Sequence, residues 1–186
     1  MAGFVVITLG VIADTHVPDR ARRLNPGALS IFEQAGVQAI LHAGDVCVPS
    51  VLAQLEEIAP TYAVRGNRDW VRLGHLPREC LLEFGGVNVA LAHGHGDLAH
   101  YLADKVWHVL EGLQRERYWR RLIKSFPTAR VIVFGHVHMS MNMWLDGRLL
   151  FNPGSACCPH YKQSAPSVGL VHIHTGGKVE GEIVNL

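Results

Sequence analysis

Apolar residues in this 186-residue chain fall into short dense runs, each closed by a glycine or a polar residue. Phe4 to Ile12 is nearly continuous and rich in β-branched side chains, as expected of a strand buried on both faces. From Pro26 to Ala35 the spacing turns helical, with Leu29, Phe32 and Ala35 along one side and Gly36 as the stop. Gln38 to Leu41 predicts a second strand, which delivers His42 and Asp45 at its end. A short helix is expected near Ser50 to Ile58, with Ser50 as its N-cap. Thr61 to Val64 predicts a third strand, running out into Gly66-Asn67.

Further on, Leu81 to Phe84 and Val87 to Ala92 flank Gly85-Gly86 and predict a hairpin whose second strand delivers His93. Leu98 to Phe126 reads as mostly helical, in two helices broken near Gly112. Arg130 to Phe134 is another buried strand, leading to His136 and His138. Two hairpins close the chain: Met141 to Leu145 with Leu149 to Phe151 across Asp146-Gly147, and Val168 to His174 with Val179 to Val184 across Gly176-Gly177. Strands alternating with helices indicate an α/β layered fold, in which ligands bind at the carboxyl ends of the strands. The length fits one domain over residues 1–186, with no internal repeat, linker or low-complexity tract.

Composition narrows the function classes. With 48% hydrophobic and 18% charged residues the chain can form a sizeable core, which excludes global disorder. A formal net charge of +1 gives no general attraction to nucleic acid or to an anionic membrane. No stretch is long enough to span a bilayer, and the apolar start lacks the basic region of a signal peptide. Cys47, Cys80, Cys157 and Cys158 show neither metal-knuckle nor disulfide-framework spacing. They read as reduced thiols of a cytoplasmic protein, small core residues in preference to zinc ligands.

The candidate chemistry lies in five blocks, each at or just past a strand end: Asp14-Thr15-His16, Gly44-Asp45, Gly66-Asn67-Arg68-Asp69, His93-Gly94-His95 and Gly135-His136-Val137-His138. In an extended segment, residues two apart share a face, so Asp14 with His16 could present a carboxylate and an imidazole to one ion. Taken singly, D-x-H is a weak signal, and Gly-Asp or Gly-Asn usually marks a turn. Two close histidine pairs at the ends of apolar strands are sharper. His42, His100 and His108 read as structural or surface residues, and His172 with His174 as a surface pair with nothing acidic beside it.

Together the blocks closely resemble the calcineurin-like metallophosphoesterase superfamily, nearest its small single-domain bacterial and archaeal phosphodiesterases. The resemblance runs from Phe4 to about Ser167 and includes the turn Asn152-Pro153-Gly154-Ser155. It implies a four-layer α/β/β/α sandwich with two packed mixed β-sheets and a dinuclear metal site at the strand ends. Asp14, His16 and His138 would hold the first metal, and Asn67, His93 and His136 the second, with Asp45 bridging them. The implied cofactor is two divalent ions, manganese foremost, with Fe, Ni, Co or Zn as alternatives.

The implied reaction is phosphodiester hydrolysis by a hydroxide bridging the two metals. Many relatives carry His after the Gly-Asn pair. Arg68 stands there instead, permanently charged and so no general acid, though able to neutralise phosphoryl oxygens. Asp69 is expected to orient Arg68, and His95 is the candidate substitute acid. Arg20, Arg22 and Arg23 could rim the site. The basic segment Arg115 to Lys124 reads as a solvated helix face, or else as a polyanion-facing patch. The expected partner is a small phosphodiester or nucleotide-like substrate, with no membrane. Nucleic acid gains no support from the net charge, and a homo-oligomer is left open. The alternatives are a phosphomonoesterase acting on nucleotides and a metal-free interaction scaffold resembling a retromer subunit.

Overall fold

The computed structural model describes residues 6–94, 115–160 and 164–186. Among them are ten strands in two five-stranded sheets. Strand β1 (Val6–Ile12) is followed by helix α1 (Pro26–Ala35), β2 (Ala39–His42), helix α2 (Pro49–Glu56) and β3 (Thr61–Ala63). Next come β4 (Glu79–Phe84) and β5 (Val87–Ala92), then helix α3 (Arg115–Ser125) and β6 (Val131–Phe134). The chain finishes with β7 (Ser140–Leu145), β8 (Arg148–Pro153), β9 (Ser167–His174) and β10 (Val179–Asn185).

One sheet has the order β10-β9-β1-β2-β3, the other β4-β5-β6-β8-β7. Both are mixed: β1, β2 and β3 run parallel, as do β5, β6 and β8, with antiparallel strands around them. Leu9, Val11, Leu41, Val89, Leu91, Val133, Phe151 and Val171 fill the space between the sheets. On the outer face of the first sheet, Ile12, Ile40 and Leu170 pack with Phe32 of α1 and Val51 and Leu55 of α2. Ala90, Ile132 and Phe134 on the outer face of the second meet Leu122 and Phe126 at the end of α3. These apolar layers make the α/β/β/α sandwich, and they explain why the central strands are apolar on both sides.

Local chemistry sets the boundaries. Helix α1 opens on Asn25, whose side chain accepts from Gly27 N–H, and closes on Gly36 in the left-handed conformation. Helix α2 corrects the expected Ser50 cap. Its N-cap is Val48, with no side-chain hydrogen bond, because Pro49 occupies the first helical position and already lacks an N–H to satisfy. Strand β1 is described from Val6, so Phe4 lies outside the described residues. Of the two helices expected between Leu98 and Phe126, only the second is described; residues 98–112, with the break at Gly112, lie outside.

Candidate metal centre

The parallel strands of both sheets bring all five candidate ligand blocks to a single end. Asp14 and His16 follow β1, Asp45 follows β2, Asn67 follows β3, His93 follows β5, and His136 and His138 follow β6. Backbone bonds lock these loops together: Asp14 N–H donates to Gly44 O at 3.0 Å, His16 N–H to Asp45 O at 3.0 Å, and Gly135 N–H to His93 O at 3.3 Å. Asp14, His16, Asp45, His136 and His138 all adopt positive φ, between 47° and 71°. Such backbone is uncommon outside glycine, though Asp, Asn and His tolerate it best, and it clusters where side chains are aimed for function.

Two donor clusters result. In the first, His16 Nε2 lies 3.1 Å from His138 Nε2, and Asp14 Oδ1 lies 3.3 Å from His138 Nε2 and 4.0 Å from His16 Nε2. In the second, Asn67 Oδ1 lies 3.2 Å from His93 Nε2 and 3.1 Å from His136 Nδ1. Asp45 stands between them. Its Oδ2 is 3.7 Å from His16 Nε2, and its Oδ1 is 3.6 Å from His93 Nε2.

Hydrogen bonds on the far side of each ring fix which nitrogen faces inward. His93 Nδ1–H donates to Ala43 O at 2.7 Å, and His138 Nδ1–H to Cys158 O at 2.6 Å, so the Nε2 lone pairs point into the clusters. His93 Nε2 thereby faces the carbonyl oxygen of Asn67, acceptor against acceptor, an arrangement that calls for a cation. Asp14 Oδ1 and His16 Nδ1 are buried and have no hydrogen-bond partner. Orphaned buried polar atoms are costly, and a divalent ion at the first cluster would satisfy the carboxylate. The donor set of oxygen and imidazole nitrogen fits divalent transition metals.

The electrostatics agree. Burial would raise the Asp14 carboxyl, yet the imidazoles of His138, His93 and His16 hold it below its usual range. Burial raises Asp45 and pushes His16 down to about 4. Burial also works against a charged His138, but the facing Asp14 carboxylate outweighs it and lifts the ring to about 9.

The calcineurin-like phosphoesterase superfamily domain matches residues 7–176 of this sequence. The chain belongs to that superfamily. A probable metallophosphoesterase of Methanothermobacter thermautotrophicus is 34% identical over 176 residues, covering 95% of this chain and 91% of its own length. A phosphodiesterase of Methanocaldococcus jannaschii is 25% identical over 88% of this chain and 91% of its own. Among solved structures, an archaeal phosphodiesterase superposes with a TM-score of 0.66 at 23% identity over 96% of this chain and all of its own. Vacuolar protein sorting 29 from Cryptosporidium parvum superposes at 0.73, with 19% identity over 97% and 98% of the two chains. These two likenesses establish a shared fold.

Several residues of the chain sit differently from expectation. Asp69 does not orient Arg68. It is fully buried and accepts three backbone N–H groups, from Asp45 at 2.9 Å, Gly66 at 2.7 Å and Cys47 at 2.8 Å. The carboxylate thus ties the Asp45 and Asn67 loops together, buried with its oxygens turned to backbone rather than to Arg68. Arg68 instead places Nη1 3.6 Å from Asp19 Oδ2 at the exposed lip, while its backbone N–H donates to Asp45 Oδ1 at 2.8 Å. Arg20 reaches the rim beside Cys158, whereas Arg22 and Arg23 are exposed. His95, His100 and His108 lie outside the described residues.

Elsewhere, His42 is buried and structural. Its Nδ1 accepts from Gly44 N–H at 3.2 Å and its Nε2–H faces Thr15 Oγ1 at 3.2 Å. The pair His172 and His174 is accompanied by acids after all, since β10 lays Glu180 and Glu182 across from them, with His174 Nε2 3.0 Å from Glu180. The basic helix α3 turns Leu122 to the core, and Arg121 reaches Gly94 O at 3.4 Å. Cys47 is a buried thiol, but Cys157 and Cys158 are half-buried beside His138 and are not core residues.

Proposed function

We propose that this chain is a divalent-metal-dependent phosphodiesterase acting on a small or nucleotide-like phosphodiester. The observation that carries the reading is Asp45, one oxygen turned to each of two donor clusters. Asp14, His16 and His138 would hold one ion, Asn67, His93 and His136 the other, and Asp45 would bridge them. When bound, such a pair supplies Lewis acidity to phosphoryl oxygens and makes water acidic enough to attack phosphorus near neutral pH.

The chain's own groups do the positioning. Ala43 O and Cys158 O hold His93 and His138 in the tautomers that offer Nε2. Asp69 fixes the loop that aims Asp45 and Asn67. Arg68, leaving Asp19, would meet a phosphoryl oxygen but has no proton to give a leaving group. That deficiency favours diesters with good leaving groups over monoesters. Arg68→His is therefore expected to raise the monoester-to-diester ratio, and an unchanged ratio would count against this role. His95 remains the candidate acid. A single domain, a metal of the manganese type and a reducing, cytoplasmic setting for the four free cysteines complete the proposal.

A metal-free scaffold of the vacuolar protein sorting 29 kind is the second reading, favoured only by the likeness of fold. The complete set of seven donor side chains stands against it. Manganese-dependent turnover of a bis-aryl phosphodiester, beside the aryl monoester, tests all three readings. Asp45→Asn should lower diester turnover by more than about 100-fold, since losing even an outer partner of a metal ligand costs about 10–100-fold. Faster monoester turnover would favour the monoesterase, and no turnover with no metal retained would favour the scaffold.

A further inference from the structure

The turn after β8 carries an element that the oxygen-and-imidazole ligand set does not use. A ligand atom from each of His16, His138 and Cys158 lies within 4.8 Å of the other two. Cys158 is not a stray surface thiol, because its turn hangs on the backbone of the metal-facing loops. Ser155 Oγ–H donates to Asp14 O at 2.8 Å, and Ala156 N–H to Ala13 O at 3.1 Å. His138 Nδ1–H donates to Cys158 O at 2.6 Å, and His160 N–H to His138 O at 2.9 Å. Cys158 N–H is in turn held by Ser155 Oγ at 3.0 Å.

The sulfur itself sits among groups that suit a thiolate. Cys157 Sγ is 2.9 Å away and Arg20 Nη1 3.8 Å away, and His138 Nδ1 lies at 3.7 Å. Independently of the thiol, the same cluster holds Asp14 Oδ1 with no hydrogen-bond partner, on a side chain 0% exposed. Nitrogen and sulfur ligands of one tetrahedral ion stand roughly 3.5 Å apart, so the Cys158 side chain has to turn inward for its sulfur to join His16 and His138 Nε2 on one ion.

We propose that Cys158 is an additional ligand of the first cluster, making it a site for a thiophilic divalent ion such as zinc, cobalt or ferrous iron in preference to manganese. The inference rests on the dinuclear reading above and changes it at one point, putting a softer ion than manganese at the first cluster. On binding, the S–H bond breaks, the proton leaves to solvent and the sulfur lone pair fills the coordination position; nothing is oxidised or reduced. Soft thiolate selects these ions over manganese, which oxygen ligands suit better.

The test is reconstitution of the full chain with cobalt(II), read by electronic absorption. The expected spectrum shows visible d–d bands together with near-ultraviolet sulfur-to-cobalt charge transfer. Cys158→Ser should abolish the charge-transfer band, keep the d–d bands and lower the preference for zinc over manganese by about tenfold or more. Cys157→Ser, whose hydroxyl can still donate to the Cys158 sulfur, should keep both the charge-transfer and the d–d bands. Cobalt d–d bands without charge transfer in the unaltered chain would overturn the proposal while leaving the dinuclear reading intact, and this readout needs no variant to fold. Charge transfer lost in Cys157→Ser but kept in Cys158→Ser would also overturn it. No cobalt bound at all would sink both readings.

Discussion

Asp69 shows how a single carboxylate can shape a site it does not enter. Its two oxygens take up the N–H groups of Asp45, Cys47 and Gly66, all buried. Asp69→Ala would orphan three donors at roughly 1–3 kcal/mol each. The expected outcome is a fall in melting temperature together with a drop in metal affinity, read by thermal unfolding and by metal titration. His42 makes a pH prediction. Burial holds its pKa down at about 4, against the 6.5 usual for histidine. Between those values the unfolded chain takes up a proton that the fold refuses. The stability contributed by neutral His42 is therefore complete above pH 6.5 and lost as pH falls toward 4, by at most about 3 kcal/mol. Urea unfolding with chelator present at pH 7 and pH 5 should show the loss, and His42→Gln should reduce it. His138 has the opposite sign. Its pKa is raised to about 9, so its contribution is full below 6.5 and fades as pH rises toward 9. It leaves the acid window to the depressed histidines.

At the scale of the elements, what the sequence displays best is strand, helix and turn. Val131 to Phe134 and Ala39 to His42 are buried throughout, which is why they read as uninterrupted apolar runs. The edge strands β4 and β7 alternate instead between exposed and half-buried positions. The loops behind these strands are harder to read, because their glycines serve different needs. Gly36 supplies a left-handed cap with open space around it, φ 57°. Gly66 supplies room: a Cβ there would stand 2.1 Å from Asp45 Oδ1 and 2.4 Å from Asp45 N. Gly36→Ala should therefore cost only about 1–2 kcal/mol and leave metal binding unchanged. Gly66→Ala should displace the Asp45 carboxylate and weaken metal binding strongly, and isothermal titration of both variants would separate the two effects. Equal metal affinities would refute the distinction.

For the whole molecule, the centre joins the two sheets. Asp14, His16, Asp45 and Asn67 come from the first, His93, His136 and His138 from the second. Ions binding there would stabilise the packed pair of sheets by mass action, about 4 kcal/mol at a thousandfold excess over Kd. At about 2–4 °C per kcal/mol for a chain of this size, chelation should lower the melting temperature by roughly 10 °C. The shift should shrink in Asp45→Asn. The sequence by itself determined the strands, the layered class and the order of the ligand blocks, because burial on two faces and strand-end chemistry both leave local patterns. It could not reveal that Asp69 faces backbone rather than Arg68, that Glu180 and Glu182 lie across from His172 and His174, or that Cys158 closes on His138. Those pairings join residues brought together by sheet register and loop closure. Only the tertiary structure decides them, since each depends on which chemically competent neighbour the folded backbone holds within hydrogen-bonding distance.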